Sequence, residues 1–347
     1  MERKIKLRES IYILEESEEI YQVIFTGTRR IKKFQVDGLV KKIINELNVE
    51  QEINLLIDKL SKEYEKQKIT KCLESLEHAG ILRSYNPDMN ERHSKQLLFI
   101  DELTNSWEES INLQRKIEDS VISVFGVGGI GTWIVNGLYQ IGVGEIRITD
   151  PDTIEKSNLG RQLYFTEKDI GKLKVETIRE KLPDANIKAY TEIVSQDGKL
   201  EEIIVGSNFL VNCADNPSVE ETTRLIDKYA NKYNIPYCIA GGYNMHLGMI
   251  GPIIIPGKTA SFNEFLEYQR RKDPLTNLKV IKDIGQTGNL GPIAGAVANI
   301  QLMEIFKYLI GKGKVNLNKF AEIDFLDFTI EWREFSNLQS KVTLLKT

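Results

Sequence analysis

A short apolar strand that runs directly into a glycine-rich turn constrains this sequence more than any other feature. The β-branched run Val121–Phe125 is followed at once by Gly-Val-Gly-Gly-Ile-Gly at residues 126–131, and then by apolar residues at helical spacing. Glycines let a strand turn sharply and let its backbone approach a phosphate, whose charge suits the free amides of a helix N-terminus. We therefore expect a nucleotide phosphate to bind at this turn.

An acidic residue follows the turn at the spacing of a ribose-binding carboxylate. The strand pattern Glu145–Thr149 ends at Asp150, and a carboxylate about 20 residues beyond such a turn typically bonds a ribose hydroxyl. Strand, glycine turn, helix and acidic strand end together predict a Rossmann-like, mostly parallel α/β sheet. These residues alone do not separate NAD from ATP.

Charged and amide side chains just beyond the second strand distinguish the two nucleotides. Cleavage of ATP between its α and β phosphates needs cations that neutralise the departing pyrophosphate, whereas hydride transfer needs no such cluster. Either cation alone fits a solvated helix face equally well, but the joint pattern favours ATP. The residues are Asp150, Asp152, Asn158, Arg161 and Lys174.

A further carboxylate, Asp215, follows an apolar strand pattern at residues 209–213. The carboxyl ends of parallel strands face the ligand crevice of α/β folds, so we expect Asp215 in that crevice. Mg²⁺ prefers one or two carboxylates together with substrate phosphates, and we predict that Asp215 binds it. Asp215 is also a candidate helix N-cap before Pro217, and the two roles are compatible.

The chain of 347 residues is long enough for two domains. Residues 1–85 combine short β-rich runs, three amphipathic stretches and a closing strand, which together look like a winged helix; a generic cap is the alternative. Residues 86–347 alternate strands with longer helices, as in a parallel α/β sheet. We expect residues 85–90 to form a linker and residues 262–282 to form a mobile crossing loop.

Composition excludes several classes of protein. With 46 Lys and Arg against 50 Asp and Glu, the net charge is −4, so a nucleic-acid-binding face is not expected. The start is charged, and no uninterrupted apolar segment approaches the roughly 18 residues of a membrane span, so we predict a cytoplasmic protein without membrane contact. The three cysteines lie far apart, which fits neither a disulfide framework nor paired zinc knuckles.

Four motifs resemble, in this order, those of the ThiF/MoeB superfamily, which includes the ubiquitin-activating enzymes. They read GVGGIG, ITDPDTIEKSNLGRQ, DIGKLKVE and NCADN, and they are spread over most of residues 90–310. This combination is far more specific than a lone glycine motif. The resemblance implies a homodimer that activates the carboxyl terminus of a polypeptide as an acyl-adenylate and releases pyrophosphate.

The resemblance also implies a role for each predicted site residue. Glycines of the turn would line the nucleotide, two carboxylates would approach the ribose, and an amide and two cations would contact the phosphates. Asp215 would be the magnesium-binding and catalytic aspartate. The glycines are Gly126, Gly128, Gly129 and Gly131, the two ribose carboxylates are Asp150 and Asp152, the amide is Asn158, and the two cations are Arg161 and Lys174.

Two further segments match the family pattern. Residues 92–96 match the short helix that reaches into the partner subunit's site, where an arginine usually acts on the ATP phosphates. Lys95 keeps the charge of that arginine but loses its bidentate fork. Residues 288–309 match a long helix of the family, whose small residues suit either close dimer packing or a plain core helix.

Missing cysteines distinguish this chain from many members of the family. Those members bind zinc through two CxxC pairs or form a thioester on a cysteine of the crossover loop, but residues 257–290 contain no cysteine, and we expect no zinc site. Cys213 and Cys238 lie in strand patterns, where inert packing is expected. We therefore expect a nitrogen or oxygen nucleophile to consume the adenylate directly.

Within the superfamily, the chain resembles the branch of MccB- and PaaA-like peptide-modifying adenylating enzymes. A winged-helix domain there captures a short ribosomal peptide, often as an added strand, and residues 1–85 have a suitable size and pattern. We predict adenylation of a carboxylate on a ribosomally made precursor peptide, in peptide natural-product biosynthesis. The alternatives are activation of a sulfur carrier protein or a tRNA nucleoside, a non-catalytic peptide-presenting module and, least favoured, an NAD-dependent dehydrogenase.

Overall fold

The chain divides into two compact units, Met1–Gln114 and Arg115–Thr347. The first unit ends at Gln114, beyond the predicted domain boundary at residue 85. That boundary stays a prediction. Most of the predicted linker, residues 86–90, lies outside the described part of the chain. The computed structural model describes residues 4–85, 91–195, 199–272, 281–282 and 288–336.

The N-terminal unit contains two small antiparallel sheets and a group of helices. Its elements are β1 (Lys4–Leu7), β2 (Ile11–Ser17), β3 (Ile20–Phe25), β4 (Arg30–Gln35), α1 (Gly38–Glu46), β5 (Gln51–Glu52), α2 (Ile53–Leu60), α3 (Lys66–His78), β6 (Leu82–Tyr85), α4 (Ser94–Asp101) and α5 (Trp107–Glu118), within which the division falls. The strand orders are β5-β1-β6 and β2-β3-β4. The predicted small N-terminal α+β unit is confirmed, with β4 as a strand that the apolar pattern did not indicate.

Local signals explain where the first three helices begin and end. Asp37 caps α1, because its carboxylate accepts a hydrogen bond from the Val40 N–H at 2.9 Å. Helix α3 ends just before Gly80, whose φ of +78° costs a glycine little. The apolar faces of α1, α2 and α3 pack with Val23 and Phe25 of β3 into one core.

A buried ion cluster ties the β5-β1-β6 sheet to α4. Asp101, at the end of α4, is 1% exposed and accepts hydrogen bonds from Arg8 Nε and Arg83 Nε, each at 3.1 Å. The same guanidinium groups donate to backbone carbonyls, including that of Thr104 at 3.0 Å. Buried charges are tolerated only when they are paired in this way. The cluster therefore fixes the helix that carries Lys95.

The second unit is built around a mixed, mostly parallel sheet. Its elements are β7 (Val121–Phe125), α6 (Gly131–Ile141), β8 (Glu145–Thr149), α7 (Lys174–Lys181), β9 (Ile187–Tyr190), α8 (Leu200–Ile204), β10 (Phe209–Asn212), α9 (Val219–Tyr233), β11 (Tyr237–Ile239), β12 (Tyr243–Asn244), β13 (Leu247–Ile250), β14 (Ile253–Ile254), α10 (Phe262–Lys272), α11 (Gly291–Ile310), β15 (Lys319–Asp324) and β16 (Thr329–Glu334).

The large sheet of this unit has the order β14-β11-β10-β7-β8-β9. All neighbouring pairs are parallel except β11 and β14. A separate antiparallel sheet has the order β12-β13-β15-β16, in which β15 pairs with β16 from Lys319 to Asp324. The predicted α/β fold class is confirmed.

Helix α11 packs closely against α6. A Cβ on Gly137 of α6 would lie 2.0 Å from Leu302 Cδ2, and a Cβ on Gly295 would lie 3.2 Å from the Trp133 ring. By length and composition α11 could cross a membrane, but 67% of that stretch is buried inside the structure. Its small residues thus serve packing within the chain, while the predicted homodimer stays a prediction.

The predicted crossing loop at residues 262–282 is wrong in its first half. Residues Phe262–Lys272 form α10, whose apolar face is buried through Phe262, Phe265 and Leu266. These three residues recur at helical spacing, but the many charges between them obscure the pattern. Residues 273–280 lie outside the described part of the chain.

We predict that the ion cluster stabilises the N-terminal unit. Asp101→Ala leaves two buried guanidinium groups without their shared carboxylate, so the free energy of unfolding should fall by about 3–5 kcal/mol. Glu63→Ala, which breaks an exposed pair with Lys42, should cost less than about 1 kcal/mol. Urea denaturation with amide-exchange detection measures both losses, and equal losses would contradict the assignment.

Candidate active site

A cavity of about 630 Å³ opens where the parallel strands of the second unit end. Its volume lies within the range of ligand pockets, roughly 300–1,000 Å³, and the carboxyl ends of parallel strands are where α/β folds bind ligands. Nearly all of the predicted site residues meet in this cavity. Those that line it are Gly126, Gly128, Gly129, Asp150, Asp152, Asn158, Arg161, Lys174 and Asp215.

Two close backbone approaches shape the glycine turn. Gly126 has a φ of +85°, and a Cβ there would lie 2.8 Å from the carbonyl oxygen of Cys213. A Cβ on Gly131 would lie 2.0 Å from the carbonyl oxygen of Gly126. Gly131 is not among the residues that line the cavity. Gly131 is therefore needed for the tight turn of the backbone and does not face the ligand.

The ligand-facing part of the turn is Gly128 and Gly129. A Cβ on Gly128 would meet nothing within 4 Å, whereas a Cβ on Gly129 would lie 2.3 Å from Tyr243 Oη. Because neither residue carries a side chain, the backbone stays accessible from the cavity, and the N-terminus of α6 lies next to it. This arrangement suits a phosphate group.

Backbone amides hold the carboxylate of Asp150 at the end of β8. Its Oδ2 accepts from the Val127 N–H at 2.8 Å, and its Oδ1 accepts from the Asp152 N–H at 2.9 Å. Burial raises the pKa of this carboxyl, while the Lys174 ammonium, 3.7 Å from Oδ1, and the two amides oppose that rise. The carboxylate is thus fixed beside the glycine turn, where the ribose is predicted to lie.

Lys174, the first residue of α7, is held by the acidic residues of the preceding loop. Its buried ammonium donates to Asp152 Oδ2 at 2.7 Å, although the Asp152 side chain itself is largely exposed. A triphosphate in the cavity would compete with Asp152 for this ammonium. A phosphate group could therefore replace the Asp152 carboxylate as the partner of the Lys174 ammonium.

Asn158 and Arg161 lie on the loop that follows β8. The side-chain oxygen of Asn158 accepts from the Glu155 N–H at 3.0 Å and closes a capping box on a short helical turn. Arg161 Nη1 donates to the carbonyl oxygen of Ser157 at 2.8 Å. The loop folds back on itself and presents the guanidinium at the cavity wall.

Asp215 lies on the exposed part of the cavity wall, just beyond β10. Its interpretation as the N-cap of α9 is wrong, because Ser218 is the cap and accepts from the Glu221 N–H at 3.1 Å. Within the described part of the chain, no hydrogen bond or salt bridge engages the Asp215 carboxylate. A single unengaged carboxylate facing a phosphate-sized space fits the way Mg²⁺ binds to proteins.

Three further residues of the cavity wall were not among the predicted site residues. Tyr243 lies at the cavity wall, where burial raises the pKa of its hydroxyl and the Arg161 guanidinium opposes that rise. Among the described residues, Gln162 Oε1 and Thr149 Oγ1 are buried without a hydrogen-bond partner. Such atoms at a cavity wall suit a polar ligand. Gln162 and Thr149 lie within the motif ITDPDTIEKSNLGRQ, and this is the sequence signal that could have identified them.

Lys95 belongs to the N-terminal unit. It lies in the first turn of α4, and its side chain is exposed. Its action on ATP phosphates across a dimer stays a prediction.

The cysteine thiols of the second unit are held protonated. Cys213 lines the cavity, and burial, together with the charge of Asp215, raises its pKa. Burial likewise raises the pKa of Cys238 in β11. A protonated thiol is a poor nucleophile, which disfavours transfer of an acyl group to either cysteine. Over the described ranges, no group of three or more His, Cys, Asp or Glu side chains is arranged to hold a metal ion, and the absence of zinc stays a prediction.

A model of the ThiF family matches residues 93–343, a stretch that includes every residue of the cavity wall. The chain belongs to the ThiF family. The predicted superfamily is therefore confirmed.

Curated relatives of this ThiF-family chain include two enzymes that share about a quarter of its residues. The SAMP-activating enzyme E1 of Haloferax volcanii is 27% identical over 222 residues, which cover 63% of this chain and 77% of that protein. The sulfur carrier protein ThiS adenylyltransferase of Escherichia coli is 26% identical over 226 residues, with 63% and 81% covered. The family and these relatives support an adenylyltransferase as the enzyme class and ATP as its nucleotide.

Solved structures match most of the ThiF-family chain. E. coli MccB with ATP has a TM-score of 0.70 at 21% identity and covers 96% of this chain and 97% of its own. MccB with AMPCPP and MccA has a TM-score of 0.69 at 21% identity, with the same coverage. PaaA has a TM-score of 0.64 at 21% identity and covers 81% of this chain and 96% of its own. At these identities the likeness establishes the fold.

A methyl group added to Gly128 should change nucleotide binding, whereas a methyl group added to Gly131 should change the stability of the protein. Gly128→Ala should leave stability nearly unchanged but weaken AMPCPP binding about tenfold or more, because the methyl group projects into the phosphate-facing space. Gly131→Ala should destabilise the protein by about 1–3 kcal/mol or more, because its methyl group meets the backbone of Gly126. Thermal unfolding and an AMPCPP titration of both variants check this. A destabilised Gly128→Ala that binds AMPCPP normally would contradict it.

Proposed function

We propose that this protein uses ATP to adenylate a carboxylate on a ribosomally made precursor peptide, in peptide natural-product biosynthesis. The observation that carries the proposal is the convergence, in one cavity, of a phosphate-accessible glycine turn, two cations and the unengaged Asp215 carboxylate. A second support is the MccB-like fold over 96% of the chain, which includes the small N-terminal unit as well as the adenylation domain.

In this proposal each group of cavity residues contacts a different part of the ATP molecule or its Mg²⁺. Gly126, Gly128 and Gly129 border the ATP phosphates, and Asp150 and Asp152 approach the ribose. Asn158, Arg161 and Lys174 contact the phosphates, while Gly131 keeps the turn tight. Asp215 would hold Mg²⁺, which supplies charge neutralisation on the phosphates when it is bound.

The first step forms one bond and breaks one. A carboxylate oxygen of the peptide attacks the α-phosphorus of ATP, and the bond from that phosphorus to the oxygen bridging to the β-phosphorus breaks, so that pyrophosphate leaves. Arg161 and Lys174 neutralise the charge that develops on the departing group. No general base is needed, because a carboxylate is already ionised at neutral pH.

The second step consumes the acyl-adenylate. A nitrogen or oxygen nucleophile attacks the activated carbonyl carbon, loses a proton and expels AMP. At the carbonyl carbon, a peptide amide would give a cyclised product and an external amine would give a conjugate. Attack of a peptide amide on the phosphorus would instead form the N–P bond of a phosphoramidate, lose the amide proton and release the peptide carboxylate. The raised pKa of Cys213 supports direct consumption without an enzyme thioester.

The N-terminal unit offers an edge strand for the peptide. In the β2-β3-β4 sheet, the pairing of β2 shifts register between Glu15 and Ser17, whereas β4 pairs without interruption over Arg30–Gln35. Bulges protect sheet edges from added strands, so β4 is the better edge for a docking peptide. We also propose a homodimer in which Lys95 acts on the phosphates of the partner subunit's site.

A second candidate function is the activation of a sulfur carrier protein. It is favoured by the sequence relatives, which include the adenylyltransferase of the carrier ThiS. The two functions differ in substrate. A carrier-activating enzyme would accept peptides that end in a double glycine as efficient substrates, whereas the proposed enzyme would need its own precursor peptide.

Pyrophosphate exchange tests the proposed function directly. Peptides encoded by short reading frames beside the gene should stimulate incorporation of labelled pyrophosphate into ATP. Asp215→Ala should lower that rate about 100-fold or more, because it removes the carboxylate proposed to hold Mg²⁺. Asp184→Ala, which removes an exposed carboxylate away from the cavity, should leave the rate unchanged.

Two outcomes would reject the proposal. An unchanged rate of pyrophosphate exchange in Asp215→Ala would show that Asp215 takes no part in the reaction. Exchange driven by double-glycine carrier tails, and not by any precursor peptide, would favour the second candidate.

A further inference from the structure

Asn212, the last residue of β10, holds the loop that leads to Asp215. Its side-chain oxygen accepts from the Ala214 N–H at 3.0 Å. Its side-chain nitrogen donates to Thr222 Oγ1 at 3.0 Å and to Thr223 Oγ1 at 2.8 Å, both in α9. Asn212 is 1% exposed and both threonines are fully buried. The amide is thereby fixed in one orientation, because a flip would turn its NH₂ group toward the Ala214 N–H.

The hydroxyl of Thr222 holds the same loop from the side of α9. It lies 2.9 Å from the carbonyl oxygen of Ala214, 3.0 Å from that of Ser218 and 3.2 Å from that of Val219. A hydroxyl has only one hydrogen to donate. The Ser218 carbonyl already accepts from the Thr222 N–H at 3.1 Å, and the Val219 carbonyl from the Thr223 hydroxyl at 2.6 Å. Among the described residues, the Ala214 carbonyl has no other donor, so the hydrogen of the Thr222 hydroxyl goes to Ala214.

Both backbone groups of Ala214, the residue immediately before Asp215, are therefore held by buried side chains. The same backbone also packs against the glycine turn, since a Cβ on Gly126 would lie 2.8 Å from the Ala214 nitrogen. Within the described part of the chain, the Asp215 carboxylate has no hydrogen bond or salt bridge of its own. Its place at the cavity wall thus depends on the backbone that carries it.

We propose that Asn212 and Thr222 are positioning residues, which hold the Asp215 carboxylate where it can bind Mg²⁺. The inference rests on the proposed function, because it takes Asp215 as the magnesium-binding residue. It goes further by giving a role to two buried side chains that were not among the predicted site residues. Without the Thr222 hydroxyl, the loop would have to be ordered when the ion binds, and that loss of entropy weakens binding.

The test measures how strongly Mg²⁺ tightens the binding of AMPCPP. The magnesium ratio is the Kd of AMPCPP in EDTA divided by its Kd in excess MgCl₂. Thr222→Val replaces the hydroxyl with a methyl group, and it should lower this ratio about fivefold or more while the Kd in EDTA changes less than about twofold. Thr222→Ser keeps the hydroxyl and should keep the ratio, whereas Asp215→Ala should abolish the magnesium effect. A merely structural role would raise both constants together and leave the ratio unchanged.

Thr223→Val is the matched control. It removes a buried hydroxyl one position further along α9, which accepts from Asn212 and donates to the Val219 carbonyl. Each valine variant therefore costs the Asn212 amide one acceptor, and the two should show similar falls in melting temperature. Only Thr222→Val also removes the donor to the Ala214 carbonyl. The magnesium ratio of Thr223→Val should stay within about twofold of that of the unmodified protein.

Amide hydrogen exchange of residues 213–216 gives a second measurement, which needs neither nucleotide nor metal. Thr222→Val should speed exchange in this segment about tenfold or more, because the loop opens more often once its carbonyl is released. Thr223→Val should leave the exchange of the segment nearly unchanged. Equal exchange in the two variants would overturn the inference.

The outcomes separate this inference from the proposed function. An unchanged magnesium ratio in Thr222→Val, or equal reductions in Thr222→Val and Thr223→Val, would overturn the positioning role, whatever the pyrophosphate assay shows. Failure of every peptide in pyrophosphate exchange, with a selective fall of the ratio in Thr222→Val, would reject the peptide substrate and uphold the positioning role. A magnesium effect that is absent from the unmodified protein, or that survives Asp215→Ala, would overturn both the role of Asp215 and this inference.

Discussion

The carboxylate of Asp150 joins the glycine turn to the cation of Lys174, and the shape of the cavity depends on that junction. One carboxylate oxygen accepts the Val127 amide from the turn, and the other faces both the Asp152 amide and the Lys174 ammonium. A carboxylate this buried is costly unless its lone pairs are satisfied. The ends of β7 and β8 and the start of α7 are thereby held around one space.

The charged groups of the cavity are held in place by partners that a triphosphate could replace. Lys174 donates to the exposed carboxylate of Asp152, and Arg161 donates to the Ser157 carbonyl, whereas Asp215 stays unengaged among the described residues. Preorganised charges stabilise a departing pyrophosphate without being reoriented during the reaction. The protonated Cys213 thiol beside them fits a reaction that releases its acyl group to nitrogen or oxygen rather than to sulfur.

Sequence patterns predicted the parts of the molecule whose structure depends on residues that are neighbours in the sequence. The strand, turn and helix at residues 121–141 follow from β-branched residues, glycines and helical spacing, and the cavity then gathers the charged motifs at the strand ends. The prediction failed where tertiary packing decides. Helix α10 is dense in charge yet buries Phe262 and Phe265, and Tyr243 reaches the cavity only because a hairpin packs against α11. The residue roles remain predictions because they depend on ligands.

Isotope transfer from the substrate tests most directly whether this protein activates a peptide carboxylate with ATP. A candidate precursor peptide with ¹⁸O in its carboxyl groups is incubated with the protein and ATP, and the nucleotide product is weighed by mass spectrometry. When a nitrogen or oxygen nucleophile displaces AMP from the acyl carbon, we expect AMP that carries one ¹⁸O from the peptide. Unlabelled AMP, or ADP with labelled phosphate, would contradict it.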